Sequence, residues 1–260
     1  MIELGVAGIG LLGPGLDGWA GGAPLLREPT AWTPRPTAVP APALLPANER
    51  RRAGTVIRAS IAVAADAVAG HDAATLATVF ASASGDPLNC HQLCEALATP
   101  ERLVSPTRFT NSVHNTPAGY WHIATHAMAP STSLAAWDAS FGAGLLEAAV
   151  LAQVQTRPVL LVACDMPYPE PLRPHRPLPD TFATALLLRP GAAGGGARLR
   201  IAPAASGGPT PCAHAGLEAL RSAIPAARAL PLLAALAAGR AERIVLEAAD
   251  ALPLAVEVLP

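Results

Sequence analysis

Thr132-Ser-Leu-Ala-Ala-Trp137-Asp138-Ala-Ser140-Phe141-Gly142-Ala-Gly144-Leu145 is the stretch whose reading organises the rest of the chain. Residues 132–137 read as an apolar strand, and a helix opens at Gly142-Ala143-Gly144. A strand that passes so abruptly into a helix makes the tight turn on which enzymes expose a nucleophile, because the helix N-terminus favours developing negative charge. On that reading Ser140 is the candidate nucleophile, in the manner of a Gly-x-Ser-x-Gly elbow. Two features oppose it. Asp138 stands where the first glycine belongs, and the downstream His175 and His214 lie in no recognisable motif. The plain alternative is a small residue packed under a turn.

Working outward, strand-like apolar runs occur at 76–82, 132–137, 158–164 and 182–188, with helix-compatible segments at 88–98, 115–128 and 142–154. This βαβ alternation predicts an α/β fold with layered helices over a mainly parallel central sheet. Residues 2–10 read as a first strand entering a glycine turn, and Ile57, Ile61, Ala64, Ala65 and Val68 lie at helical spacing within 55–69. Between them the proline-rich stretch 24–47 forbids regular helix and reads as a surface excursion or an extended arm. The tail predicts a helix over 226–239 and then a hairpin, with 243–248 and 252–258 flanking a short Ala249-Asp250-Ala251 turn. No internal repeat appears, and residues 1–260 read as a single domain.

Composition narrows the classes of function. The 260 residues suffice for a large core, half of them are apolar, and 18 basic residues balance 19 acidic ones. Nucleic-acid binding has no electrostatic basis here. Every basic side chain other than histidine is Arg, so any mechanism that needs a lysine is excluded within this sequence. The four cysteines are too few and too scattered for a disulfide framework. The N-terminus is a poor signal peptide, since it carries Glu3 and has no basic residue before Arg27. No membrane span is expected, because the most apolar stretch, 223–238, is interrupted by Pro225, Arg228 and Pro231. A cytoplasmic setting is the expectation.

Other motifs have plain readings. Gly8-x-Gly10-x-x-Gly13 follows a strand, but Pro14 and Gly15 come where a dinucleotide-binding helix should start, so it reads as a glycine turn and no cofactor is expected. Cys90-His91-x-x-Cys94 puts two thiols on one helix face but has no second ligand pair; buried structural cysteines are expected, and no metal. In Phe109-Thr110-Asn111-Ser112-Val113-His114-Asn115-Thr116-Pro117, Asn115 is placed to cap a helix with Pro117 in its first turn. His114 is a candidate base, although the absence of a clear nucleophile favours a structural role. Arg50-Arg51-Arg52 reads as a solvated helix start, with docking of an acidic carrier protein as the alternative.

Taken in order, these pieces resemble the N-terminal half of ketoacyl synthases. Val6–Gly15 looks like their opening strand and glycine-proline turn, Arg108–Gly119 like the segment before the catalytic strand, and Thr132–Leu145 like the strand, elbow and helix that carry their cysteine. Ser82-Ala-Ser-Gly-Asp86 with Asn89-Cys-His91 and Cys94-Glu-Ala-Leu97 is similar to a short branch, the ketoacyl-synthase-like N-terminal-domain proteins of aryl polyene biosynthesis, a type II polyketide-like pathway. The resemblance covers roughly residues 1–190, while the tail matches the short branch alone. It implies a truncated thiolase-like fold.

Aligned with the family's Asp-Thr-Ala-Cys-Ser-Ser pattern, the cysteine position falls on Phe141, or on Ser140 if the register shifts by one. Phenylalanine forms no thioester, so the covalent step is lost. The family's later His-Gly-Thr segment and its Lys-containing Gly-His segment have no counterpart here. The resemblance therefore implies a non-catalytic, chain-length-factor-like subunit that forms a heterodimer with an active ketoacyl synthase and meets the carrier-protein-bound acyl chain through that partner. It places Phe109, Thr110, Asn111, His114 and Phe141 near the tunnel or interface and makes 132–137 the strand paired across it. The alternatives are an acyltransferase or hydrolase using Ser140, a weak malonyl-thioester decarboxylase, and a structural homodimer.

Overall fold

The computed structural model describes residues 1–191, 196–204, 207–249 and 252–260. In chain order the elements are β1 (Ile2–Gly13), β2 (Leu16–Asp17), α1 (Gly18–Arg27), α2 (Ala47–Arg52), α3 (Thr55–Ala67), β3 (Ala77–Ala81), α4 (Pro87–Ala98), α5 (Pro106–Thr110) and α6 (Thr116–Thr125). There follow β4 (Ser131–Leu134), α7 (Ser140–Gln155), β5 (Val159–Asp165), β6 (Phe182–Pro190), β7 (Arg198–Pro203), α8 (Ala215–Ala223), α9 (Leu230–Ala238), β8 (Glu242–Ala249) and β9 (Leu252–Leu259).

The sheet runs β4-β3-β5-β6-β1-β7-β9-β8, with β2 paired to the end of β1. The layered α/β architecture is the one expected; the strand directions are mixed. Parallel pairing joins β3 to β4 and β3 to β5, where helical crossovers return the chain to the same end of the sheet. The mainly parallel sheet read from the sequence is corrected elsewhere. β5–β6, β1–β6, β1–β7, β7–β9 and β8–β9 are all antiparallel. The reason lies in the connections: no helix separates β5 from β6, and β8 and β9 form the predicted hairpin. The turn read at Ala249-Asp250-Ala251 falls, at Asp250 and Ala251, outside the described residues.

Burial follows the strand period. Along β5, Leu161 and Ala163 join the core beneath α7 and α9, whereas Leu160, Val162 and Cys164 join the core beneath α3 and α6. The glycine motif of β1 acquires its physical reason here. A Cβ at Gly8 would collide with the Ala67 carbonyl of α3, and one at Gly10 with the Val63 carbonyl. These glycines let a helix backbone rest on the central strand; they cradle no pyrophosphate. On the opposite face Gly142 plays the same part for α7, where a Cβ would strike the Glu247 carbonyl of β8.

The proline-rich stretch is a pinned strap. Its first residues belong to α1, which accommodates Pro24 within the helix, contrary to the expectation that 24–47 holds no regular helix. Beyond it Trp32 is buried and donates from Nε1 to the Pro14 carbonyl at 2.9 Å, Thr37 donates to Asp180 and the Thr181 carbonyl, and Leu45 is buried. Arg50-Arg51-Arg52 is the last turn of α2, not a helix start, and there the positive charges favour the helix dipole.

Gly10→Ala should lower the unfolding free energy by roughly 1–3 kcal/mol, the range for overpacking a tight contact. Urea denaturation measures it, and an unchanged midpoint would refute the packing assignment.

Candidate functional site

The turn between β4 and α7 is built by its own side chains. Ser140 Oγ donates to the Trp137 carbonyl at 2.6 Å and accepts from the Ala136 amide at 3.0 Å, so the hydroxyl is used on both sides of the turn. Ser140 is 1% exposed and no histidine bonds it. The next residue, Phe141, is also 1% exposed and belongs to the core beneath α7, away from any surface. A Cβ at Gly142, in the first turn of the helix, would strike the backbone of Glu247 and Ala248, so the helix packs closely on β8. Acyl transfer needs an exposed hydroxyl and a base; this turn offers a buried, capped hydroxyl with no histidine bonded to it.

Asp138 fits the turn because two arginines receive it. Its carboxylate pairs with Arg176 and, at 3.1 Å, with Arg228, and Arg228 also pairs with Glu247 of β8. The Arg176 guanidinium lies 4.0 Å from the centroid of the Trp137 ring. Sequence reasoning missed this lattice: its four charged members stand at 138, 176, 228 and 247, and no local motif announces partners so far apart.

The second predicted segment sits at the same end of the sheet. Phe109 is 68% exposed on α5, and Thr110 is exposed with its hydroxyl returned to the Pro106 carbonyl. Asn111 is buried; it donates to the Arg52 carbonyl at 2.9 Å and accepts from the Tyr120 hydroxyl at 3.2 Å, tying α2, α5 and α6 together. His114 Nε2 meets the Ser82 carbonyl at 3.0 Å, which holds the ring with no nucleophile beside it. Asn115 occupies the cap position of α6 with a proline in the first turn, but its side chain makes no capping bond. Ser82 in turn bonds the Leu134 carbonyl through its amide, so the His114 segment and the elbow flank one residue.

Beneath both lies Asp165, fully buried at the end of β5. It accepts from the Ser82 hydroxyl at 3.1 Å, the Ala83 amide at 2.8 Å and the Ala226 amide at 2.8 Å. Burial pushes its pKa up to about 7, against the opposing pull of those donors. Cys164, its neighbour, is buried away from the elbow, and burial drives its thiol pKa upward. Cys90 and Cys94 are exposed, correcting the expectation of buried thiols: α4 turns Asn89 and Leu93 inward and leaves the flanking positions outside. Among the described residues no cluster of three His, Cys, Asp or Glu side chains is placed to hold a metal ion. Nor is any described helix long and apolar enough to cross a membrane.

Residues 26–249 match the family described as beta-ketoacyl synthase, N-terminal domain. The structure is similar to the ketosynthase (ApeO) in complex with its chain length factor (ApeC) from Xenorhabdus doucetiae, at 22% identity and a TM-score of 0.75, covering 100% of both chains. It is similar to the ishigamide ketosynthase/chain length factor, at 16% identity and a TM-score of 0.70, over 99% of each chain. A type II polyketide synthase acyl-carrier protein in complex with its ketosynthase, AntDE:AntF, matches at 11% identity and a TM-score of 0.70, again over 99% of each chain. At these identities the likeness is one of fold, and that fold is the thiolase-like layered one. No curated protein matches the chain in sequence.

Two outcomes follow from this geometry. Ser140→Ala should cost about 1 kcal/mol of stability, the worth of a net hydrogen bond; chemical denaturation reads it, and a loss of acyl-transfer activity in place of stability would restore the serine as a nucleophile. The proton on Asp165 is held in the folded chain from its ordinary value of 3.8 up to about 7. Its contribution to stability is therefore full below that ordinary value and is lost as pH rises through about 7. The thermal midpoint of the native chain should fall between pH 5 and pH 8 by more than that of Asp165→Asn, while equal slopes would show that Asp165 does not titrate there.

Proposed function

Since the chain belongs to the β-ketoacyl synthase N-terminal-domain family, we propose that it is a chain-length-factor-like subunit that pairs with an active ketoacyl synthase and leaves the condensation to that partner. The observation that carries this reading is the elbow. We place the family's nucleophile site at this turn, whose serine is consumed by its own backbone and whose helix packs closely on β8. The whole-length likeness to subunits of ketosynthase–chain length factor complexes supports the same reading.

The sheet edges support pairing. β8, at one edge, carries Glu242, Arg243 and Glu247, and Thr210 bonds Val245 from outside. Charge and cover of this kind guard an edge against adding another strand. β4, at the other edge, is Ser131-Thr132-Ser133-Leu134, with no charge and no proline, and Ile123 and Met128 are exposed just before it. An unguarded edge flanked by exposed apolar side chains fits a surface that is covered in the working assembly. The partner is a ketoacyl synthase of an aryl polyene or related type II pathway, and the carrier-bound acyl chain reaches this subunit through it. Phe109, exposed on α5, is the residue best placed to line or cap a shared tunnel, with Thr110 beside it and Asn111 and His114 holding the segment in place. Phe141 contributes packing behind the elbow.

Co-expression with the ketoacyl synthase encoded nearest to it, one subunit tagged, should yield a one-to-one complex by size exclusion with mass analysis. Elution as a monomer or homodimer without the synthase would reject the pairing. In the complex, Phe109→Ala and Phe109→Trp should shift the product chain length in opposite directions, and identical product profiles would remove the tunnel role while leaving the pairing intact.

A further inference from the structure

Trp137 has a backbone φ of 50°, in the left-handed region that bulky side chains avoid. It is the apex of the link between β4 and α7: the Ala139 amide bonds the Ala136 carbonyl at 2.9 Å, and the Ser140 amide bonds the Trp137 carbonyl at 3.3 Å. In a nucleophile elbow the strained residue between strand and helix is the one whose side chain is presented. By that geometric criterion the presented residue here is Trp137, rather than Phe141 or Ser140. Its side chain is the opposite of theirs in exposure, since Trp137 is 62% exposed.

An exposed indole on a left-handed backbone carries a conformational cost. Three features hold it in place nonetheless: the Ser140 hydroxyl fastens the turn from both sides, the carboxylate of Asp138 is gripped by two arginines, and the Arg176 guanidinium lies against one face of the ring. The backbone that presents the side chain is therefore held by the turn, and one face of the ring is supported by Arg176. Beside it opens a recess of about 370 Å³ lined by Ala139, Val245, Leu246 and Pro253 with Arg228 and Glu247 at its polar side. The loop follows the unguarded edge strand β4 directly.

Resting on the subunit reading above, we propose that Trp137 is the anchor by which this chain grips its ketoacyl-synthase partner, its indole seated against the partner while a partner side chain enters the adjoining recess. Tryptophan is the residue type most enriched among interface hot spots, and preorganisation is what lets one contribute fully. The occupant is the synthase, because the anchor continues the bare β4 edge that the proposed pairing covers.

The test replaces Trp137 with residues that suit its backbone. Trp137→Gly and Trp137→Asn both tolerate φ near +50°, so each isolated chain should unfold at a temperature no lower than the native chain's. Each should bind the synthase at least about tenfold more weakly in titration calorimetry. Native-like affinity in both variants, alongside a native chain that binds, overturns the anchor and leaves the pairing standing. A fall in the variants' own melting temperature that accompanies the loss of binding makes Trp137 a packing residue and also overturns it. A native chain that binds no synthase rejects the pairing and this inference with it, and variants that disrupt only a homodimer reject the synthase as occupant.

Discussion

The bare α-carbon of Gly142 against the Glu247 carbonyl is the contact on which the arrangement of this molecule turns. α7 buries one face in the core and is apolar beyond it, with Val150 and Val154 exposed on the other side. Its small residues let it sink: Gly144 meets Ala81 and Leu161, and Ala148, Ala149 and Ala152 are fully covered. Had residue 142 carried a Cβ, β8 would stand off the helix.

The turn so packed is rich in paired charge. The helix N-terminus attracts negative charge, and here the charge is internal: Asp138 sits beside it and is neutralised by Arg176 and Arg228. The planar fork of an arginine can satisfy two carboxylates from different directions, which a lysine does less well. Arg228 does so, bridging Asp138 to Glu247 and fastening the C-terminal hairpin to the elbow. Asp165 performs a comparable task deeper in, drawing the ends of β3 and β5 to the turn that begins at Ala226.

How much of this could be read from sequence depended on the range of the interaction. The βαβ segments were legible because a buried strand and its covering helix announce themselves within a dozen residues, as α3, β3, α6 and β5 do. Strand direction beyond β5 was not, since antiparallel pairing there depends on partners far apart, such as β1 between β6 and β7. β7 did alternate, with Leu199 and Ile201 inward and Arg198 and Arg200 outward toward Glu3, but a glycine-rich approach obscured it. α1 was hidden by Pro24. At the elbow the sequence indicated that the cysteine was gone, and it could not say which side chain took the apex. A φ of 50° at a tryptophan contradicts the local preference that sequence reasoning relies on.

The loss of a nucleophile need not waste the device that presented it. An elbow is a means of holding one side chain rigidly at a chosen point against the preference of its own backbone. In an enzyme that rigidity serves attack on a substrate; with an indole at the apex it would serve the recognition proposed above. The strain explains why the surrounding bonds are so many. A lone serine cap would suffice for an ordinary helix start, whereas here a doubly used hydroxyl, a twice-paired carboxylate and a stacked guanidinium all converge on a single residue. Such convergence holds the position of Trp137 against its own backbone preference, and it leaves the ring more than half exposed.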